Sequence, residues 1–258
     1  MNQHVATQSP ATILTTAEFY DRVHALSPSV AVFDCDGTLW SGDAGSSFMR
    51  WTMETGLLSP EATAWLNNRY EGYNRGEVSE LEICGEMVQV YRGLSISSLR
   101  AAAAQFFRER IEKNIFPEMA RLVADLQRDG VDIWAVSSTC DWVIEEGVKR
   151  FNIPANRVLA ACVESLGVGA AAIATDKLRD VPTDQGKVDA LHRVGITHPG
   201  AVFGNSVHDA HMLAIGQSAS GFSGAFPVNP SADLVRRSSA EGWPVYYPAS
   251  VAPISSPG

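Results

Sequence analysis

Short apolar runs alternate with segments of helical pattern along most of this chain, and no other feature of the sequence constrains the fold as strongly. The runs cover residues 29–33, 131–136, 158–163 and 201–203, and turn residues bound them. A continuous apolar run of this kind is typical of a strand buried in a parallel sheet. The alternation therefore predicts βαβ units. The helices predicted between and around the runs are residues 17–26, 118–128, 141–151, 183–194 and 207–215.

The alternation stops between the first two runs, where about seventy residues show only helical patterns. No strand-like alternation occurs there, and glycine and proline residues mark the breaks between helices. We interpret this block as an inserted helical subdomain. The helices predicted in it are residues 44–56, 60–75, 79–92 and 95–113.

These patterns together predict the fold class and the organisation of the chain. We expect an α/β fold in which a Rossmann-like parallel sheet core carries an inserted all-helical cap subdomain. The core is discontinuous and consists of residues 13–40 and 114–242, and the cap consists of residues 41–113. Residues 1–12 are polar and residues 243–258 are rich in proline and serine, so we predict that both are tails along the surface.

Composition excludes several classes of function. The 29 acidic residues outnumber the 20 basic ones, for a formal net charge of −9, whereas a protein that binds the nucleic-acid backbone needs a basic face. No segment approaches the ~20 apolar residues that span a bilayer, and the first residues do not resemble a signal peptide. The four cysteines form no C-x-x-C pair. We expect a cytoplasmic protein with reduced thiols and with neither nucleic acid nor a membrane as partner; no feature indicates an oligomeric state.

The residues just past the predicted strands are candidates for a ligand site, because ligands of open α/β sheets bind at the carboxyl ends of the strands. Taken singly, each is more often a turn former, a helix cap or a solvated lysine than a ligand-binding residue. Their joint placement at one edge of one sheet indicates a site. These residues are Asp34, Asp36 and Thr38 after the first strand, Ser137, Ser138 and Thr139 after the second, Asn205, Ser206 and Asp209 after the last, and Lys187 at a helix start.

Four motifs in this order resemble those of the haloacid dehalogenase superfamily. They are V-F-D-C-D-G-T-L, V-S-S, G-K and G-N-S-x-x-D-x-x-M-L, and they fall within residues 29–226. The pattern is most similar to the phosphoserine-phosphatase-like branch, in which a helical cap is likewise inserted between the first and second motifs. The first motif is highly specific, whereas the serine and lysine motifs are specific only in combination with the others.

The resemblance implies a Mg²⁺-dependent phosphatase that hydrolyses a small phosphate monoester through an aspartyl-phosphate. In that mechanism Asp34 is the nucleophile, and Asp36 protonates the leaving group and later deprotonates the attacking water. Superfamily members that displace halide generally lack the second aspartate, so Asp36 favours phosphoryl transfer. Ser137, Ser138 and Lys187 are implied to bind the phosphate. The same intermediate would serve a phosphotransferase, which is the alternative from the same chemistry.

The resemblance also implies a Mg²⁺ site formed by Asp34, the main-chain carbonyl of Asp36, Asn205 and Asp209. Oxygen ligands without a histidine or cysteine cluster favour magnesium over zinc. The family usually has an aspartate where this chain has Asn205. Two interpretations stay open: Asn205 is a neutral ligand in an active enzyme, or the metal site has decayed and the protein is a binding or regulatory relative. We favour activity because the other reacting positions match the family pattern.

Substrate selection is expected in the cap, where two features stand out. Asp43 lies where phosphoserine-type relatives place a glutamate that meets the amino group of the substrate, and it is equally well placed to be the N-cap of a helix. Those relatives also carry a cap arginine that pairs with the substrate carboxylate. Met87 falls near that position here, with Arg69 and Arg92 close enough to substitute. Strict phosphoserine specificity is therefore not expected.

Aromatic residues are frequent around the motifs and in the cap. At helical spacing such residues mostly pack in a core, but with an acidic residue they would also suit an ammonium head group such as ethanolamine or choline. We interpret His208 and His211, which flank the last motif aspartate, as residues of a helix surface. The aromatic residues are Trp40, Trp51, Trp65, Tyr70, Tyr73, Tyr91 and Trp142.

Overall fold

A computed structural model describes residues 10–216 and 222–249 of the chain. The strands are β1 (Ile13–Leu14), β2 (Val30–Phe33), β3 (Asp132–Cys140), β4 (Val158–Leu166), β5 (Ile173–Asp180), β6 (Ala201–Gly204), β7 (Ala225–Pro227) and β8 (Val245–Tyr246). The helices are α1 (Thr16–Ala25), α2 (Ala44–Glu54), α3 (Pro60–Asn74), α4 (Glu80–Gln89), α5 (Ile96–Phe106), α6 (Pro117–Arg128), α7 (Asp141–Val148), α8 (Gln185–Arg193), α9 (Ala210–Ala214) and α10 (Ala232–Glu241).

The predicted α/β class is confirmed by a six-stranded sheet in the order β5-β4-β3-β2-β6-β7. All pairs in it are parallel except β4 with β5. The register pairs Phe33 of β2 with Ala135 of β3 and with Phe203 of β6. The residues that follow these three positions therefore emerge at the same edge of the sheet, as the parallel arrangement requires.

Aromatic stacking fills the core on one face of the sheet. The Phe33 ring stacks on Phe203 with ring centroids 4.3 Å apart, and Phe203 stacks on Phe226 at 5.4 Å. Phe19 of α1 meets Phe203 edge-on at 6.0 Å, and all of these side chains are buried. Burial of each such ring contributes about 1.5–3 kcal/mol to stability, which holds β2 and β6 rigidly in place beneath the sheet edge.

The segment of residues 41–113 contains α2 to α5 and lies over the carboxyl edge of the sheet. Side-chain caps start these helices: Asp43, Ser59, Ser79 and Ser95 each accept a hydrogen bond from the backbone N–H three residues further on. The helix predicted to continue to residue 113 ends earlier. It passes at Phe107–Ile111 into a π-helical turn and at Glu112–Asn114 into a 3₁₀ turn.

Two sets of backbone hydrogen bonds join the cap to the core. The connecting segments run side by side, because the N–H of Ser41 donates to Asn114 O and that of Phe116 donates to Leu39 O. The hairpin of β4 and β5 forms the second junction, where Gly93 N–H donates to Ala174 O at 2.8 Å. The chain boundaries of core and cap stay a prediction. In the described part of the chain, no helix is both long and apolar enough to cross a membrane.

The prediction that residues 243–258 form a tail along the surface is wrong for the first of these residues. Trp243, Val245 and Tyr246 are buried, and β8 pairs in parallel with β1. The Tyr246 ring stacks on Phe19 with centroids 4.0 Å apart. Three large apolar side chains among proline and serine were enough to bring this segment onto the core, because their burial outweighs the cost of ordering it. Residues 1–9 and 250–258 lie outside the described residues.

Candidate active site

The carboxyl edge of the sheet and the cap enclose a cavity of about 450 Å³. Most of the site residues predicted from the sequence line it, although they come from five separate segments of the chain. Asp209 lies behind the cavity wall and is fully buried. The predicted residues in the lining are Asp34, Asp36, Asp43, Ser137, Ser138, Thr139, Lys187, Asn205 and Ser206.

Asp34 directly follows β2 and is held by two side chains. Lys187 Nζ donates to Asp34 Oδ1 at 2.8 Å, and Thr38 Oγ1 donates to Asp34 Oδ2 at 2.9 Å. Burial and then the charge of Asp209 raise the pKa of Asp34 above its ordinary value, and the lysine opposes this. The carboxylate is therefore fixed in orientation, but the charge of Lys187 does not fully offset burial and the charge of Asp209.

Lys187 bridges two buried carboxylates. Its Nζ lies 2.8 Å from Asp34 Oδ1 and 2.5 Å from Asp209 Oδ1, and only 2% of the residue is exposed. Burial alone lowers the pKa of Lys187, but the charges of Asp209 and Asp34 outweigh it and hold that pKa above its ordinary value. A permanently charged ammonium group therefore stands beside Asp34.

Asp36 is oriented by three donors. Trp40 Nε1 and the backbone N–H of Ala44 donate to its Oδ1 at 2.6 and 2.8 Å, and Thr139 Oγ1 donates to its Oδ2 at 2.7 Å. Burial and then the charge of Asp43 raise the pKa of Asp36 to about 6. A carboxyl group with such a pKa can both give and take a proton near neutral pH. The hydroxyl run after β3 was a signal for Thr139, but its bond to Asp36 was not predicted.

The last motif forms a tight turn around Asp209. The backbone N–H groups of Asn205 and Ser206 donate to Asp209 Oδ2 at 2.8 and 2.9 Å. The Asn205 side chain lies against Gly37, where an added Cβ would come within 1.9 Å of Asn205 Nδ2. Gly37 has a φ of +75°, which also favours glycine. Asn205 is thus placed directly beside the loop that carries Asp36.

The predicted magnesium ligands match that ion in chemical type. Asp34, Asn205 and the carbonyl of Asp36 offer oxygen donors of the kind Mg²⁺ prefers. Asp209 is set back, because Lys187 and two backbone N–H groups already occupy its oxygens. Within residues 10–216 and 222–249, no three or more histidine, cysteine, aspartate or glutamate side chains are grouped as a metal cage. Any divalent cation here therefore depends on amide and carbonyl oxygens as well as on Asp34.

The predicted phosphate-binding serines lie at the end of β3. Ser137 is buried, and its Oγ accepts the N–H of Thr139 at 3.1 Å, so the Ser137 hydroxyl hydrogen can point elsewhere. The Ser138 side chain lies near Cys84 of the cap. Both serines line the cavity on the same wall as Lys187.

For Asp43, the helix N-cap interpretation is confirmed, and its role in substrate selection stays a prediction. It is the N-cap of α2, where its Oδ1 accepts the Ser46 N–H at 3.0 Å, and it also lines the cavity. Its negative charge, after burial, helps to raise the pKa of Asp36.

The two cap arginines lie away from the cavity. Arg69 forms a close ion pair with Glu86 at 2.8 Å, and Arg92 is largely exposed beside Asp176. Met87, at the position aligned with the arginine of the relatives, does line the cavity. The expectation that Arg69 or Arg92 could substitute is therefore wrong, because each is held by a carboxylate elsewhere.

Glu80 was not predicted to line the cavity, and the aromatic residues named from the sequence divide into two groups. The tryptophans named above are absent from the described lining, and Trp40 packs against Phe107 in the core. Tyrosines of the cap line the cavity instead, together with Glu80. His208, expected on a helix surface, also lines it and pairs with Asp184 at 2.9 Å, whereas His211 is exposed. The lining tyrosines are Tyr70, Tyr73 and Tyr91.

The family model of haloacid dehalogenase-like hydrolases matches residues 31–214, and the chain belongs to that family. The motif residues that carried the resemblance lie within this span. Among curated proteins, no sequence matches the chain.

Solved structures share the fold at low sequence identity. A protein of unknown function from Bordetella pertussis Tohama I is 22% identical, with a TM-score of 0.71 over 84% of this chain and 97% of that one. A phosphoserine phosphohydrolase-like protein from Francisella tularensis is 15% identical, with a TM-score of 0.52 over 85% and 94%. A phospho-aspartyl intermediate analogue of phosphoserine phosphatase is 14% identical, with a TM-score of 0.54 over 85% and 92%.

Proposed function

We propose that this protein is a Mg²⁺-dependent phosphatase that hydrolyses a small phosphorylated metabolite through an aspartyl-phosphate. The observation that carries the proposal is the arrangement of two carboxyl groups at the sheet edge. Asp34 is fixed by Lys187 and Thr38, and Asp36 is held beside it by three donors. The cavity of about 450 Å³ under the cap suits a small ester rather than a macromolecule.

In the first step, an oxygen of Asp34 attacks phosphorus and forms a P–O bond. The bond to the leaving oxygen breaks, and Asp36 gives its proton to that oxygen so that a neutral alcohol departs. In the second step, Asp36 takes a proton from a water molecule that attacks phosphorus. The P–O bond to Asp34 then breaks, which releases phosphate and regenerates both carboxyl groups.

The positive charge of Lys187 does not balance the negative charge at this edge of the sheet once a phosphate is bound. Asp34, Asp209 and a phosphate dianion carry −4 together, and Lys187 supplies only +1. Ser137 and Ser138 can add hydroxyl donors for the phosphate oxygens. Asp34, Asn205 and the carbonyl of Asp36 would hold Mg²⁺, with Asp209 behind them. When bound, Mg²⁺ would supply positive charge that favours the ionised form of Asp34 and the approach of a phosphate dianion.

One experiment separates this proposal from a non-catalytic relative. The purified protein is incubated with p-nitrophenyl phosphate and Mg²⁺, and release of phosphate is measured. We expect turnover that EDTA abolishes and that Asp34→Asn reduces by at least about 10³-fold, as loss of a nucleophile does. Asp21→Asn, the same change on an exposed position of α1, is the matched control. Absence of turnover on this and a broad panel of phosphate esters would favour a binding protein.

A phosphotransferase would use the same intermediate and is tested in the same assay. Adding a small alcohol at high concentration offers an acceptor other than water. If phosphoryl transfer to the alcohol exceeds release of phosphate, the cap admits an acceptor in preference to water. We expect release of phosphate to dominate.

A further inference from the structure

The cap half of the cavity differs in charge from the phosphate half. The cap half is the lining contributed by Phe48, Tyr70, Tyr73, Glu80, Met87 and Tyr91, and the phosphate half is the lining around Asp34 and Lys187. The phosphate half carries Lys187 and hydroxyl donors, whereas the cap half combines aromatic rings with a carboxylate. Since the phosphoryl group must lie at Asp34, the cap half is left to the alcohol portion of the substrate.

Glu80 is the charged group of the cap half, and its side chain is only 17% exposed. Its Oε1 accepts a hydrogen bond from Cys84 Sγ at 3.5 Å, and the Tyr73 side chain lies near the carboxylate. His208 Nε2 is 3.9 Å away, and that histidine is already paired with Asp184 through Nδ1. In the described part of the chain, neither lysine nor arginine forms an ion pair with Glu80. A shielded carboxylate of this kind attracts a cation more strongly than an exposed one.

A second carboxylate faces the same space. Asp43 lines the cavity beside Asp36. Among the described lining residues there is no arginine, and Lys187 is committed to Asp34 and Asp209. An alcohol portion that carried a carboxylate or a second phosphate would therefore meet repulsion from Asp43 and Glu80, because the two basic side chains in the described lining, Lys187 and His208, already pair with other carboxylates.

The aromatic rings give an independent indication of the same ligand chemistry. Tyr70 and Tyr73 are partly exposed, with ring centroids 6.0 Å apart and planes inclined by 48°, whereas Phe48 and Tyr91 are each 1% exposed and pack against each other in the core. Tilted rings such as those of Tyr70 and Tyr73 offer π faces in more than one direction, and such faces attract ammonium groups, including fully methylated ones. Rings together with a shielded carboxylate favour a cation over a neutral alcohol of the same size.

We infer that the substrate is a phosphate monoester whose alcohol carries a positively charged nitrogen and no carboxylate, with Glu80 as the group that binds the nitrogen. This inference rests on the proposed phosphatase function. It adds the chemical class of the alcohol and a residue of the cap that recognises it.

The test compares kcat/KM of the wild-type protein for four esters. Phosphocholine and phosphoethanolamine carry the cation, 3,3-dimethylbutyl phosphate has the shape of phosphocholine without its charge, and phosphoserine adds a carboxylate to phosphoethanolamine. We expect at least one cationic ester to exceed the neutral ester and phosphoserine by tenfold or more. Which cationic ester is better shows whether the nitrogen is methylated.

Variants then assign the preference to Glu80. Glu80→Gln should reduce the ratio of cationic to neutral ester about tenfold, which corresponds to about 1.4 kcal/mol. Glu71→Gln, the same change on the exposed surface of α3, should leave that ratio as it is. A Glu80→Gln ratio equal to the wild-type ratio would overturn the assignment.

The substrate panel also separates failure of this inference from failure of the proposed function. If p-nitrophenyl phosphate is hydrolysed but the neutral ester or phosphoserine equals the cationic esters, the inference about the alcohol is wrong and the phosphatase stands. The same conclusion follows if p-nitrophenyl phosphate alone is hydrolysed. If neither p-nitrophenyl phosphate nor any of the four esters is hydrolysed, the proposed function itself fails.

Discussion

Replacing Lys187 by methionine keeps a long side chain but removes the charge that bridges Asp34 and Asp209. Coulomb's law with an effective dielectric constant near 20 gives about 6 kcal/mol of attraction at 2.8 Å and about 7 kcal/mol at 2.5 Å. Desolvation of the three groups and repulsion between the carboxylates offset most of that sum. Removing one partner of a buried ion pair costs about 3–5 kcal/mol, and we expect a loss of that size in the free energy of unfolding at pH 8.

The loss should depend on pH in a defined direction. Burial and Asp209 already raise the native pKa of Asp34 above its unfolded value, and without Lys187 that pKa rises further. Between the unfolded value near 4 and the raised native value, the native state binds more protons than the unfolded chain. Its stability therefore falls as the pH rises through that window. The deficit of Lys187→Met relative to wild type should accordingly shrink as the pH is lowered from 8 to 5.

Urea unfolding in EDTA at pH 5 and pH 8 measures both effects. Lys177→Met is the matched control, because Lys177 is exposed and lies 3.8 Å from Glu164; it should cost less than about 1 kcal/mol. The reasoning is refuted if Lys187→Met is as stable as Lys177→Met at pH 8. It is also refuted if its deficit is the same at both pH values.

Three further substitutions test separate parts of the structure. Thr139→Val removes the donor to Asp36, so kcat for an alkyl phosphate should fall about tenfold and kcat for p-nitrophenyl phosphate much less; equal losses would contradict the role. Asn205→Asp should lower the Mg²⁺ concentration for half-maximal activity, and an unchanged midpoint would count against Asn205 as a ligand. Tyr246→Ala should cost about 3–5 kcal/mol in urea unfolding, because its ring is buried on Phe19; a loss below about 1 kcal/mol would make the last strand peripheral.

The strands of the core could be predicted because burial on both faces leaves a direct mark on the sequence. The apolar runs at β2, β3 and β6 coincide with strands of the parallel sheet. β5 left no such mark, since half of its residues are exposed and most of them are polar. Its strand conformation comes from antiparallel pairing with β4, which is a backbone interaction that side-chain pattern does not encode.

The candidate site could be predicted more completely on the core side than on the cap side, where Asp43, Met87 and the tyrosines were named but Glu80 was missed, for a related reason. Residues such as Asp34 and Ser137 are located by the ends of strands, and parallel strands end at one edge. Glu80 and Tyr73 are located by how α3 and α4 pack over that edge. An acidic residue in the first turn of a helix is common in any surface helix, so Glu80 carried no local signal of its position.

In the proposed function, the charged groups of the core and those of the cap act on different parts of the ester. Asp34 and Asp209 share Lys187, and Asp36 is held by Thr139, so these core groups are fixed before any ester binds. They face the phosphoryl group, which every phosphate monoester has in common. Glu80 in the cap faces the alcohol, which is what differs between esters. Substitutions in the cap half should therefore change the relative kcat/KM of esters, whereas substitutions at the sheet edge should reduce turnover of all of them together.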